Sequence, residues 1–380
     1  MSQTVFILGA GASKESGAPL MAEFIDVAER VWREIRGADP RSRHFETFFR
    51  AIGELQAVHS KAILDIKNIE SVFAAFEMAQ TLGRFGDYTQ EQLDELLEST
   101  KQVIAATLDW TTRFDLHSTN PSVLTANESY GSLRSAVDYL DGTHPCADHC
   151  RRSEDVTIIT LNYDLAVDFA LEFEAGIDYS LPAQGHFDQA GHVRWTPSGH
   201  GTPVLKLHGS LNWGRCPKCG ALVAVEVDPF LFDRYSDASS WHDHHFVSAK
   251  LMALCEHCPG ASLEYPVLIP PTWNKAQHRR EFAAIWRRAA RALSEAQRIV
   301  VAGYSLPPSD VFMQYLYVVG AVGKTHLRRF IVIDPDDTKT VENRFRNLLG
   351  PSAQQRFEYR QQTFQKGLDD LVDEIYNGTF

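Results

Sequence analysis

The stretch TVFILGAGAS, Thr4 to Ser13, decides the architecture. Five apolar or β-branched residues, Thr4 to Leu8, run directly into Gly9-Ala10-Gly11. Such a run fits a strand buried on both faces, and the glycines let the chain turn sharply behind it. The same pattern recurs at Val156–Leu161 (VTIITL), Val204–Leu207 (VLKL), Val267–Ile269 (VLI), Arg298–Ala302 (RIVVA) and Arg329–Ile333 (RFIVI). Between and after them, 278–296, 310–322, 338–349 and 367–376 read as helices. Short strands alternating with helices predict an α/β fold with a parallel sheet covered on both faces. From Ala22 onward the period changes: AEFIDVAERVWREI, IESVFAAFEMAQTL and QEQLDELLESTKQVIAATL repeat apolar residues at i, i+3, i+4 and i+7. No strong strand signal interrupts them, so a large helical insertion is expected over 22–153. A polar stretch between Trp213 and Tyr265 is expected to lie outside the sheet.

Composition agrees with a globular chain. Of 380 residues, 44% are hydrophobic and 23% charged, and the net charge is −12. That balance argues against a general polyanion-binding surface, and no sequence-specific nucleic-acid binding is expected. The best apolar run, Val311 to Gly323, contains Gln314 and falls short of the ~20 residues that cross a bilayer. The N-terminus has no basic region ahead of its apolar run, so no secretory signal and a cytoplasmic chain are expected. Four of the six cysteines form two CxxC pairs, which in such a compartment point to metal before disulfide.

Five constellations can carry chemistry. Gly9, Ala10, Gly11, Ala12 and Ser13, followed by Ser16-Gly17-Ala18-Pro19, form a loop whose backbone can approach a phosphate, although a strict GxGxxG is absent. A plain tight turn explains the glycines equally well. Asn162 and Asp164, in TLNYD at the end of VTIITL, can position a water and bind a carboxamide, or can simply cap the following helix. His208, in LKLHGS, also ends a strand; a lone histidine of this kind is either a satisfied core residue or a catalyst. Cys216, Cys219, Cys255 and Cys258 offer four thiolates to one tetrahedral Zn²⁺, against four reduced thiols. Four cysteines leave no open position, so such a zinc is structural. Gly303 and Ser305, in GYSLPPSD, and Asp334, in IDPD, end two further strands. They suit phosphate and ribose, or a turn with a helix cap. The His144/Cys146/His149/Cys150 and His242–His245 clusters read as loops.

Taken in this order, the motifs resemble the sirtuin (silent information regulator) superfamily: Gly9 to Pro19, Thr160 to Asp164, His208-Gly209, the four cysteines, Gly303 to Leu306 and Asp334. The resemblance spans nearly the whole chain. It implies a Rossmann-like NAD-binding domain over 1–21, 154–212 and 266–380, a helical insertion over 22–153 and a zinc-binding module over 213–265. Deacetylating sirtuins follow the first loop with Asp-Phe-Arg, whereas here Leu20-Met21-Ala22 stand there. The stretches that would pair with an acyl-lysine peptide carry Pro266, Pro270, Pro271, Pro307 and Pro308, which lack the N–H donors such pairing needs. Asn68-Ile69-Glu70-Ser71, HGSLNW and GYSLPPSD are instead similar to the NAD-hydrolysing branch found in bacterial anti-phage defence. That branch implies NAD⁺ as substrate, nicotinamide and ADP-ribose as products, and a homo-oligomer or a partner such as a HerA-type translocase ATPase or an Argonaute-like protein. It assigns Asn162 and His208 to catalysis and Asp164 to the nicotinamide amide. Gly9 to Ser13 would hold the pyrophosphate, Gly303 and Ser305 phosphate or ribose, and Asp334 the adenosine ribose. A protein lysine deacylase and a non-catalytic NAD or ADP-ribose sensor are the alternatives.

Overall fold

The computed structural model describes residues 3–37, 40–57, 64–116, 124–144, 154–171, 176–181, 184–187, 193–196, 201–225, 255, 257–269, 279–323 and 325–380. In chain order its elements are β1 (Gln3–Leu8), α1 (Ala10–Lys14), α2 (Phe24–Ile35), α3 (Ser42–Ala57), α4 (Ile69–Leu82), α5 (Gln90–Thr111), β2 (Phe114–Leu116), β3 (Leu124–Ala126), α6 (Glu128–Asp141), β4 (Asp155–Thr160), α7 (Ala166–Leu171), β5 (Ile177–Asp178), β6 (Gln184–Phe187), β7 (Val193–Thr196) and β8 (Thr202–Lys206). There follow β9 (Gly209–Ser210), β10 (Trp213–Arg215), β11 (Leu222–Val225), β12 (Val267–Leu268), α8 (Arg279–Glu295), β13 (Arg298–Ala302), α9 (Val311–Gly320), β14 (Arg329–Ile333), α10 (Thr340–Leu348), α11 (Pro351–Gln354), β15 (Phe357–Arg360) and α12 (Phe364–Tyr376).

The apolar runs form a seven-stranded sheet in the order β15-β14-β13-β1-β4-β8-β5. Every pairing in it is parallel. β1, β4, β13 and β14 are buried at every position after the first, as a sheet covered on both faces requires. This is the α/β fold that the sequence predicts. The chain moves from β1 to β4 and β8 in one direction, then returns to β13 and moves through β14 to β15 in the other. Right-handed crossovers therefore put α6 on one face and α9 on the opposite one. The reversal between β1 and β13 is a topological switch point, and the crevice beyond the strand carboxyl ends at such a point is where ligands bind.

Two expectations need correction. VLI does not join the parallel sheet: β12 pairs antiparallel with β9 in a separate two-stranded ladder. The chain between the first two long strands is not purely helical, since β2 and β3 form an antiparallel hairpin between α5 and α6. A second sheet, β10-β11-β6-β7, joins strands on either side of β8. Within 213–265 it holds two of those strands, so that stretch is outside the main sheet but not without strands.

Helix starts follow their caps. Asn68 Oδ1 accepts from the Glu70 and Ser71 amides, and Thr89 and Gln92 form a capping box at α5. No helix among the described residues is long and apolar enough to cross a membrane.

Candidate functional site

A cleft of about 710 Å³ opens at the switch point, within the size range of cofactor sites. Of the residues singled out from the sequence, Ala10, Gly11, Ser13, Asn162, Asp164, His208, Gly303, Ser305 and Asp334 line it. Gly9 and Ala12 do not; they sit behind the lining, in the contact between the loops after β1 and β13. Gly11 N donates to Gly303 O at 2.8 Å, Gly9 N to Ala302 O at 3.1 Å and Ala12 N to Gly9 O at 2.9 Å. These amides therefore already have carbonyl partners, and the glycines serve backbone approach as well as any ligand. Gly303 has φ of +62°, and a Cβ there would lie 2.1 Å from Ala12 N. Gly303→Ala is accordingly expected to cost about 2 kcal/mol or more, because backbone must move on one side or the other. A melting temperature equal to wild type in thermal denaturation would refute this.

Asn162 stands just past β4, buried. Its Nδ2 donates to Gly9 O at 2.9 Å and to Ser13 Oγ at 3.0 Å. A carbonyl can only accept, so this fixes the amide orientation and leaves Oδ1 as the acceptor. Ser13 Oγ also bonds Tyr130 Oη at 2.8 Å. Tyr130 is buried on α6, and burial raises its phenol well above the ordinary value, so it stays protonated. A buried chain of three side chains thus ties the helical segment to the end of β4.

His208 follows β8 by two residues and is buried. Its Nδ1 lies 3.1 Å from Ile269 O, which can only accept, so Nδ1 carries the proton and Nε2 is the basic nitrogen of the neutral ring. Ile269 O also accepts from Tyr163 Oη at 3.0 Å, and the Tyr163 ring meets the His208 ring edge-on at 6.2 Å. Beneath this strand end lies an ion pair that the sequence did not announce. Lys206 Nζ is 2.7 Å from Asp168 Oδ2, both side chains fully buried. Lys206 also donates to Asp164 O at 2.8 Å and Ser210 Oγ at 2.6 Å, and Tyr179 Oη donates to Asp168. A single buried cation therefore ties the Asp164 carbonyl, the Asp168 carboxylate and the Ser210 hydroxyl together.

Asp164 behaves as the capping alternative described: its Oδ1 accepts from Ala166 N at 3.0 Å at the start of α7. Burial raises its carboxyl pKa, with the Lys206 ammonium opposing. Asp310 likewise caps α9 through Met313 N and accepts from Tyr304 Oη at 2.7 Å. Asp334 accepts from Asp336 N at 2.9 Å, and burial raises its pKa too.

The lining also takes in residues that local motifs did not mark as site residues: Tyr163 and Tyr304 from just past strand ends, Asp310 from the cap of α9, and Phe73, Ile104 and Leu108 from the helical segment. Among the described residues, Lys14 is the only Lys or Arg on the lining, and it pairs with Glu23 at 3.1 Å. Glu15, Glu70, Asp164, Asp310 and Asp334 stand against it.

The cysteines meet. The sulfurs of Cys216, Cys219, Cys255 and Cys258 all lie within 4.8 Å of one another. Cys219 and Cys255 are 3.7 Å apart, and a Zn²⁺ with ~2.3 Å bonds to sulfur sets tetrahedral edges of about 3.8 Å. Backbone N–H groups of Cys219 and Lys218 pull the Cys216 thiol down to about 6, while burial pushes Cys258 up to about 12. The donor set fits a structural zinc. His144, in the weaker cluster, stacks on Tyr139 at 3.8 Å. Cys146, His149, Cys150, His242–His245, Pro270 and Pro271 lie outside the described residues.

No protein-family model and no curated protein matches the chain. Solved structures do. A Sir2 homolog–NAD complex matches at 16% identity and a TM-score of 0.40, covering 100% of this chain and 91% of that one. A mutant Sir2 homologue with ADP ribose matches at 17% and 0.39, covering 99% and 92%. A Sir2–p53 peptide–NAD⁺ complex matches at 15% and 0.37, covering 98% and 92%.

Proposed function

We propose that this protein is an NAD⁺ hydrolase that cleaves the bond between nicotinamide and ribose. The observation that carries the reading is convergence. Asn162 and His208 come from the ends of adjacent strands, β4 and β8, and both line the one cleft at the switch point beside the two glycine loops. Their chemistry is complementary. Asn162 offers Oδ1 and His208 offers Nε2, so a water or ribose hydroxyl can donate to either acceptor. In the reaction the C1′–N bond breaks, its electron pair leaves with neutral nicotinamide, and the water oxygen bonds C1′. The water's proton passes to His208 Nε2. The products are nicotinamide, ADP-ribose and one proton. Holding that water against C1′ is the positioning part of the catalysis, and removing its proton is the general-base part.

The acidic lining suits the cationic nicotinamide end of NAD⁺, and the diphosphate is left to polar groups of the cation-poor glycine loops other than the Gly9, Gly11, Ala12 and Gly303 amides, which already donate to carbonyls. Asp164 is assigned to the nicotinamide amide and Asp334 to the adenosine ribose. Gly303 and Ser305 are assigned to phosphate or ribose, and the loop from Gly9 to Ser13 to the pyrophosphate. The zinc would be held by the four cysteines away from the reacting atoms. The motif resemblance extends the proposal to an effector that depletes NAD⁺ in anti-phage defence.

A deacylase needs an extended peptide whose acyl oxygen attacks C1′. The stretch around Val267 instead pairs with β9, and Ile269 N donates to His208 O at 2.8 Å. Pro307 lines the cleft, and Pro308 follows it in the chain. Water is then the nucleophile. Purified protein incubated with NAD⁺ alone is expected to release nicotinamide and ADP-ribose in equal amounts, unchanged by acylated peptides. Nicotinamide release that needs an acyl-lysine peptide, in proportion to deacylation, would replace this reading with the deacylase. Tight NAD⁺ binding by calorimetry without turnover would replace it with the sensor.

A further inference from the structure

The apolar run that is too short to cross a membrane forms α9 and its tail, and it is apolar on every side. From Val311 to Val322 no side chain is charged, and the only polar groups are the Gln314 amide and the Tyr315 and Tyr317 hydroxyls. One face is packed: Phe312 lies 4.7 Å from Trp286 of α8, Tyr317 meets Phe330 at 5.8 Å, and Met313 and Gly320 are buried. The other face is bare. Val311, Tyr315, Val318, Val319 and Val322 are 43%, 66%, 51%, 68% and 82% exposed. Their spacing, i, i+4, i+7, i+8 and i+11, puts them in a single stripe. Among the described residues only Leu82 and Tyr376 are other large hydrophobic side chains with comparable exposure. The exposure is therefore concentrated in one place, and a helix that is apolar all round is one that gets covered.

We infer that this stripe is a two-fold interface with a second copy of the chain. Area is the first argument. The five side chains present on the order of 500 Å², at the upper end of what a monomer leaves open. Two copies face to face would bury roughly 1,000 Å² from these residues alone, which reaches the lower range of specific interfaces before any rim is added. Symmetry is the second. Among the described residues the stripe has no matching apolar patch elsewhere on the molecule, so self-association must set stripe against stripe, and a self-paired patch closes on a two-fold axis. Charge is the third. The stripe carries no charged side chain to steer a basic or acidic partner, and on a chain of net charge −12 an uncharged face is where two copies can approach. Val311, Tyr315 and Val319, at i, i+4 and i+8, form a ridge that can pack into the groove of an antiparallel copy.

The inference does not depend on the chemistry in the cleft, and its test reads mass. The 380-residue chain at about 10 μM is expected to sediment at twice its 42.7 kDa. Val319→Glu, and separately the milder Val318→Gln with Tyr315→Gln, are expected to sediment at 42.7 kDa with the wild-type circular dichroism spectrum. All three positions are exposed, so the fold tolerates the change. A wild-type monomer at that concentration would overturn the proposal, whether or not another protein binds the stripe. Variants that keep the wild-type mass would overturn it by placing any interface elsewhere.

Discussion

Replacing His208 or Asn162 with alanine is expected to slow NAD⁺ cleavage by about 10²–10⁴-fold and leave the fold standing. The two losses differ in kind. Without His208 no ring nitrogen accepts the proton of the attacking water, but Ile269 O keeps its bond from Tyr163 Oη at 3.0 Å. The end of β8 remains pinned by Lys206. Without Asn162 the water loses an acceptor, and Gly9 O and Ser13 Oγ lose a donor. Ser13 still bonds Tyr130. Asn162→Asp sharpens the point, since it is isosteric yet sets a carboxylate oxygen where a donor now lies 2.9 Å from Gly9 O. It is expected to fail as badly as alanine. Nicotinamide release by folded, purified variants is the measurement. Turnover near wild type for either alanine variant would remove that residue from the catalytic role.

The place of those two residues on the cleft is legible because each follows a buried strand whose run of apolar residues is unmistakable, and a polar residue just after such a run must face the crevice or a cap. The glycine loops were legible for a related reason: Gly303 occupies a conformation, and a space, that no other residue fits. What could not be read depends on distant pairings. β15 (FEYR) is a half-buried edge strand, so neither a continuous nor an alternating pattern marks it. Tyr130 reaches Ser13 across 117 residues, and only the fold of the intervening helices joins them. Lys206 sits inside an apolar strand whose sequence names no counter-ion; Asp168, 38 positions earlier, makes it a buried pair. VLI shows the limit of periodicity alone. Its apolar run is real, but a strand's partner is set by where the chain returns, and here it returns to β9.

Removing the metal from the cysteine cluster is expected to unfold that corner of the molecule. The local apolar core there is small: Val223, Val225, Ala261 and Leu263 around Cys216 and Cys255. So few side chains cannot hold two knuckles together without a further constraint. A zinc in a four-thiolate site supplies it, with an apparent binding free energy of about 10–16 kcal/mol in small zinc domains. The damage would also spread toward the cleft by a short route. Arg215 and Glu264 exchange backbone bonds at 3.0 and 2.8 Å, so the strand leading to Cys216 is tied to the strand entering β12. β12 in turn pairs with Gly209 and Ser210, the residues directly after His208. Loss of the metal should therefore lower the melting temperature first and turnover second, through a misplaced His208. Metal analysis of the native protein is expected to give about one zinc per chain. Chelation, or Cys216→Ser, should raise amide hydrogen exchange over 209–225 and 257–269 before it does so in β1 or β13. Native protein with four free thiols, no metal and unchanged exchange in these segments would contradict the zinc site outright.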